Sequence, residues 1–188
     1  MIKPTKKMQL IGKYAKNLVD LGGPYEELRG IHHAEDGSVY ATNRFLAVRM
    51  KAVNAHRGPV TFHALTGEKI KKEYPLRQLE QAFSSEYDTG FRILGEDRIE
   101  EITRLVRLIK EICELYNPPD LMTLFSQYSN VILHTQAEGM QFTARFADYD
   151  DKREIRMCLN PRYLYTALSF FRDAGSSELR FRFKEKQR

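Results

Sequence analysis

Asp148, Asp150 and Asp151 fall in one short stretch, and carboxylates so spaced could hold Mg²⁺ for cleavage of a phosphodiester by a metal-dependent nuclease. They run into Lys152-Arg153, and acidic residues ahead of a basic pair also read as a solvated loop. His32 and His33 could ligate a metal or accept a proton. Neighbours on a strand point to opposite faces, so the two cannot easily act together, and no cysteine or carboxylate spacing supports them. Cys113 and Cys158 belong to no Cys-x-x-Cys or Cys/His pattern and read as buried thiols. A Gly-rich phosphate loop, a Gly-x-Ser-x-Gly elbow and a His-Glu-x-x-His pair are all absent from the sequence. The expectation is a protein with no catalytic centre, no metal and no cofactor.

Basic residues offer a different chemistry, the holding of phosphates. The net charge of +5 and the pI near 9.1 permit a polyanionic partner, so distribution has to decide. Lys6, Gln9, Lys13 and Lys16 fall on one arc of a helical pattern, and no acidic residue occurs before Asp20. Arg104, Arg107 and Lys110 also share a helix face, but each has a glutamate one turn away, at Glu100, Glu111 and Glu114. Such i,i+4 pairs weaken the field a helix offers a phosphate.

These side chains need a scaffold, and 188 residues with 42% hydrophobic content suffice for one domain or two small ones. No apolar run approaches the roughly 20 residues that span a bilayer. The N-terminus has no signal-peptide pattern, so a cytoplasmic protein is expected. Residues 5–20 read as a helix ended by Gly22-Gly23-Pro24. Strands are expected over residues 28–33, 39–42 and 45–50, with a turn at Glu35-Asp36-Gly37, where Asp-Gly supplies positive φ. Residues 54–59 read as a loop, 60–65 as a strand, 67–75 as a closing segment, 76–83 as a short helix and 84–88 as a linker.

A second domain opens with a strand over 89–94 and the longest helical pattern, 97–116, which Asn117-Pro118-Pro119 breaks. Residues 121–128 read as a further short helix. Strands 131–135 and 140–146 flank Ala137-Glu138-Gly139. Residues 154–184 are the best-specified stretch. Ile155, Met157 and Leu159 alternate with Glu154, Arg156 and Cys158, and Asn160-Pro161 starts a helix. That helix turns Tyr163, Leu164, Ala167, Leu168 and Phe171 inward, with Arg162, Tyr165, Ser169 and Arg172 opposite, and ends at Gly175. A strand follows with Leu179, Phe181 and Phe183 inward and Arg180, Arg182 and Lys184 outward, giving a β-α-β unit.

An apolar strand running into Asn160-Pro161-Arg162-Tyr163-Leu164, a short helix and a strand resembles the last domain of bacterial DNA sliding clamps, the DNA polymerase III beta subunit family. Upstream, residues 29–48 resemble the hairpin of the clamp's middle domain. Ala41-Thr42-Asn43-Arg44-Phe45-Leu46-Ala47 stands where the family has ATDGHRLA, one residue shorter and with Asn43 in place of Asp. The resemblance spans about residues 5–83 and 89–184 and has the look of a compact version of the clamp's middle and last domains.

It implies an α+β fold of two small DNA-clamp-like domains, residues 1–85 and 86–188, each with helices packed on an antiparallel sheet. It further implies a non-catalytic protein of DNA replication that binds duplex DNA without sequence preference, tethers a DNA polymerase or other replication proteins, or does both, and a homo-oligomer is among its states. Clamp helices present basic residues to the DNA backbone, so Lys6, Lys13 and Lys16, with Arg162 and Arg172, are the expected DNA contacts. The stripe Arg180, Arg182 and Lys184 lies on a sheet and is expected to stay off the duplex. Thr42, Arg44 and Leu46 are expected to border a groove for a peptide, although the chain stops at Gln187-Arg188 without the C-terminal strand that completes this pocket in clamps. The rival readings are a clamp-derived protein-interaction module that does not encircle DNA and, further off, the nuclease. A compact clamp relative would suit a phage or mobile element.

Overall fold

The computed structural model describes residues 6–51, 53, 58–85, 89–116, 122–137, 140–149, 151 and 153–183. Part of the expected 54–59 loop lies outside these residues, as do part of the 84–88 linker, the Asn117-Pro118-Pro119 break, Glu138-Gly139, Asp150, Lys152 and Lys184. The chain divides into two compact units, residues 1–85 and 86–188. Both are α+β, with helices backing an antiparallel sheet.

The first unit opens with α1 (Lys6–Leu18), whose Ile11, Tyr14, Ala15 and Leu18 are buried at helical spacing while Lys6, Gln9, Lys13 and Lys16 are exposed. A 3-10 turn (Glu26–Arg29) leads into β1 (Gly30–His33), β2 (Val39–Thr42), β3 (Ala47–Met50), β4 (Val60–His63) and β5 (Lys69–Ile70). The sheet order is β3-β2-β1-β4-β5. β5, only two residues long, lies inside the expected closing segment 67–75, too short for a period-2 pattern to mark it. Glycine is required at Gly30, since a Cβ there would sit 2.6 Å from Thr61 Cγ2 and 2.8 Å from the Phe62 carbonyl.

β1 and β2 are buried at every position, which requires cover on both faces. Helix α1 packs on β2 and β3, while Tyr40 and Leu28 meet Tyr74 with Leu76 and Leu79 of α2 (Leu76–Ser84). His32 and His33 are both buried. His32 stacks on Tyr74 at 4.7 Å with its Nδ1 2.9 Å from Thr61 Oγ1, whereas His33 meets the edge of Phe62 at 5.6 Å.

Burial lowers the His32 pKa, and the nearby Glu80 carboxylate only partly opposes this. The neutral ring is therefore favoured in the folded unit. As pH falls through the ordinary histidine value of 6.5 the unfolded chain takes the proton first, so this contribution is complete above 6.5 and lost below it. The urea midpoint should drop between pH 7.5 and 5.5, and His32→Gln should shrink that drop; an equal drop in both proteins would exclude His32 as a source.

In the second unit β6 (Thr89–Leu94) leads to α3 (Glu96–Tyr116), then β7 (Met122–Gln127), β8 (Asn130–Ala137), β9 (Met140–Asp148), β10 (Arg156–Leu159), α4 (Pro161–Asp173) and β11 (Glu178–Phe183). The sheet order is β10-β7-β8-β9-β6-β11. The strands of the expected β-α-β unit, β10 and β11, thus occupy opposite edges of one sheet. α4 begins as its sequence dictates: Asn160 Oδ1 accepts from the Arg162 N–H at 2.9 Å, with Pro161 in the first turn. It ends in a Schellman motif, with Gly175 at φ +71°, its N–H on the Arg172 carbonyl and the Ser176 N–H on that of Phe171.

Three expectations are corrected here. Within the stretch 121–128 read as a helix, Met122–Gln127 form β7. Leu121, Leu124, Phe125 and Tyr128 match a helical period, but Tyr128 and Ser129 both take positive φ (47° and 59°) and turn the chain directly into β8. On α4, Ser169 and Phe170 are buried and Phe171 is 44% exposed, the reverse of the expected 169/171 assignment. The buried stripe starts at Pro161, Leu164 and Leu168 and turns over the last residues, where α4 packs against α3. Cys158 is exposed although Cys113 is buried, because edge strand β10 turns Cys158 away from the core with Arg156.

The core of this unit joins Ile99, Ile102, Val106 and Ile109 of α3 to Leu133, Phe146, Leu164 and Leu168. Among the described residues, no helix in either unit is long and apolar enough to cross a membrane.

Candidate functional site

The lysine face of α1 is the longest run of exposed positive charge on a single helix of the first unit. At 100° per residue, Lys6, Lys13 and Lys16 share an arc of roughly 80° and span about 15 Å of the axis. All three are exposed, and Lys13 Nζ lies 5.5 Å from the centre of the Tyr14 ring. Asp20, the acidic residue nearest in sequence, is turned away from them. Its Oδ2 lies 3.1 Å from Arg44 Nε, and its side chain is largely buried.

The Thr42–Leu46 loop wires this arrangement together. Thr42 is buried, its hydroxyl donating to the Leu46 carbonyl at 3.0 Å and accepting from the Arg44 N–H at 3.1 Å. Asn43 Oδ1 accepts from the N–H groups of Phe45 (3.1 Å) and Leu46 (2.8 Å). These bonds hold Arg44 at φ 76°, a conformation that costs a residue with a Cβ about 1–3 kcal/mol unless its surroundings impose it. Asn43 Nδ2 donates to the Asn17 carbonyl at 3.0 Å, one of the last-turn acceptors that α1 leaves unpaired.

An aspartate in place of Asn43 keeps the two acceptor bonds but has no donor for Asn17, and it adds negative charge at a helix C-terminus. Asn43→Asp should therefore cost about 1–2 kcal/mol in urea unfolding, whereas an unchanged midpoint would show that the link to α1 carries no weight.

Of the residues expected to border a peptide groove, Thr42 has its hydroxyl committed to the loop, Arg44 is exposed and Leu46 is half-buried. None of them lines either of the two described clefts. One, about 520 Å³, follows Glu73–Gln78 and Glu80. The other, about 1290 Å³, lies in the second unit beside β6, β9 and α3.

In the second unit the described basic residues of α3 and α4 are engaged. Arg104–Glu100 (2.9 Å), Arg107–Glu111 (2.8 Å) and Lys110–Glu114 (3.1 Å) form on α3 as their spacing predicts. The two α4 arginines are compensated across helices, which spacing could not reveal. Arg162 Nε lies 3.4 Å from Glu114, and Arg172 reaches Glu100 at 3.5 Å and Asp173 at 2.9 Å. On β11, Arg180 pairs with Glu178 at 2.8 Å. Asp148 pairs with Arg145, and Asp151 with Arg153 at 2.6 Å. No group of three His, Cys, Asp or Glu that could hold a metal ion occurs among the described residues.

No protein-family model matches the sequence, and neither does any curated protein. Solved structures do match in fold. The DNA polymerase III beta chain of Streptococcus pneumoniae TIGR4 superposes with a TM-score of 0.75 at 13% identity, over 98% of this chain and 58% of that one. The beta subunit from Streptococcus pyogenes gives 0.74 at 12% identity, over 98% and 60%. The Helicobacter pylori beta clamp bound to a DNA ligase peptide gives 0.67 at 14% identity, over 98% and 61%. The chain spans about three fifths of the length of the clamps it matches. An antiparallel sheet backed by helices in each of two successive units thus has the fold found over about three fifths of a bacterial DNA polymerase III beta clamp.

Proposed function

We propose that this protein acts in DNA replication as a non-catalytic, clamp-like tether that holds duplex DNA by its phosphates without reading sequence. The observation that carries the proposal is the exposed row of Lys6, Lys13 and Lys16, with Asp20 drawn aside by Arg44. Ammonium groups on flexible stems neutralise phosphates as point charges and release condensed counterions, so affinity falls steeply with salt while base sequence has little effect. Arg162 and Arg172 are included as weaker contacts, since each must exchange a glutamate for a phosphate. The protein partners, a polymerase or another replication protein, are proposed on the fold likeness. A peptide would be met by Arg44 and Leu46, with Thr42 shaping the loop. Leu46→Ala should then weaken binding to such a partner and leave duplex binding intact.

The direct test is the affinity of a short labelled duplex across about 50–200 mM salt, with two unrelated sequences. Equal affinities and a linear fall of log K with log salt are expected. No binding at the lowest salt would replace this reading with that of a protein-interaction module that does not hold DNA.

A further inference from the structure

Phe45, at the tip of the loop that flanks α1, is 68% exposed, and Tyr25 is 47% exposed. The guanidinium of Arg44 lies 5.6 Å from the ring centres of both. The cation–π contacts are favourable in themselves, and the exposed part of each ring still offers apolar surface that a flat partner could cover with a gain. Arg44 is held by Asp20, and the loop backbone by Thr42 and Asn43, so the cation and the loop tip are positioned before any ligand arrives. It also adjoins the lysine row, because Asn43 bonds Asn17 in the last turn of α1, one residue beyond Lys16. A duplex offers phosphates to lysines, but away from its ends its bases are stacked inside and have no face for Phe45. A single strand offers both.

We infer that Tyr25, Arg44 and Phe45 form a stacking site for unpaired nucleobases, so that the first unit takes single-stranded DNA whose backbone runs along the α1 lysines. Sequence-tolerant single-strand binding needs this combination, since every base has a π-face that stacks on an aromatic ring or a guanidinium plane, while cations track the phosphates. The inference uses the phosphate contacts proposed above and adds a subsite that the duplex does not use. A peptide is the competing occupant, but the lysine row continues the site with charge that suits a polyanion.

The test uses the intact protein, oligo(dT) and a relaxed closed-circular duplex, which has no exposed base-pair face. The parent contains no tryptophan, so Phe45→Trp places a unique fluorophore at the site. Oligo(dT) should quench it, and the closed-circular duplex should not. Phe45→Ala with Tyr25→Ala should weaken oligo(dT) binding about 10-fold, leaving its salt slope and the duplex affinity unchanged. Neutralising Lys6, Lys13 and Lys16 should instead lower both affinities and both slopes. Unchanged oligo(dT) affinity in the double variant, or equal losses for the two ligands, would overturn the stacking site while the duplex reading stands. Loss of duplex binding by the parent would overturn that reading, and quenching by oligo(dT) would still report on this one. A peptide that quenches Phe45→Trp where oligo(dT) does not would assign the tip to a protein partner.

Discussion

Replacing Lys6, Lys13 and Lys16 together with glutamine should lower the slope of log K against log salt for duplex binding by nearly three units, since each lost phosphate contact removes about 0.9. Over a fourfold change in salt this is a difference of about 40-fold in how far affinity falls. The three side chains are exposed on α1, so the fold should tolerate the change to within about 0.5 kcal/mol. The matching variant on α3, with Arg104, Arg107 and Lys110 made glutamine, removes the same formal charge but from residues already paired with Glu100, Glu111 and Glu114. It should leave the slope nearly unchanged. Equal losses from the two triple variants would mean that net charge, rather than the α1 face, governs binding.

Phe146→Ala should destabilise the second unit by about 3–5 kcal/mol, the range for truncating a fully buried aromatic. Phe146 is 0% exposed and meets Phe91 at 5.9 Å and Phe181 at 5.6 Å, both edge to face, while Phe91 and Phe181 stack at 4.6 Å. These rings hold the β6–β11 ribbon to the rest of the sheet. β6 and β11 pair along their full length, but among the described residues β6 joins β9 only through Arg92 and Asp148. The loss should therefore be uneven. Amide exchange in β6 and β11 should rise more than in β7 and β8, which share a ladder of five residue pairs. Phe171→Ala is the control, because that ring is 44% exposed and should cost far less. Uniform acceleration of exchange across the sheet would refute the idea that the aromatic contacts, and not the ladder, secure the ribbon.

Local chemistry is what the sequence determined by itself. The start of α4 at Asn160-Pro161, its end at Gly175 and the i,i+4 ion pairs of Arg104, Arg107 and Lys110 on α3 all follow from residues within about one helical turn of each other, so spacing suffices to predict them. The lysine arc of α1 was legible for the same reason. Strand β7 was not, because its apolar spacing fits a helix as well as a strand, and only pairing with β8 through the Tyr128-Ser129 turn resolves it.

The exposure of Cys158 and the exchange of Ser169 and Phe171 depend on which strand ends up at an edge and how α4 crosses α3, neither of which is encoded locally. The site divides along the same line. Sequence placed the positive charges, but only the tertiary structure paired Arg162 and Arg172 with glutamates of α3, drew Asp20 away from the lysines through Arg44, and set Arg44 between Tyr25 and Phe45. An ion pair or a ring contact between residues far apart in the chain exists only once the chain entropy separating them has been overcome by packing, and no spacing rule carries that information.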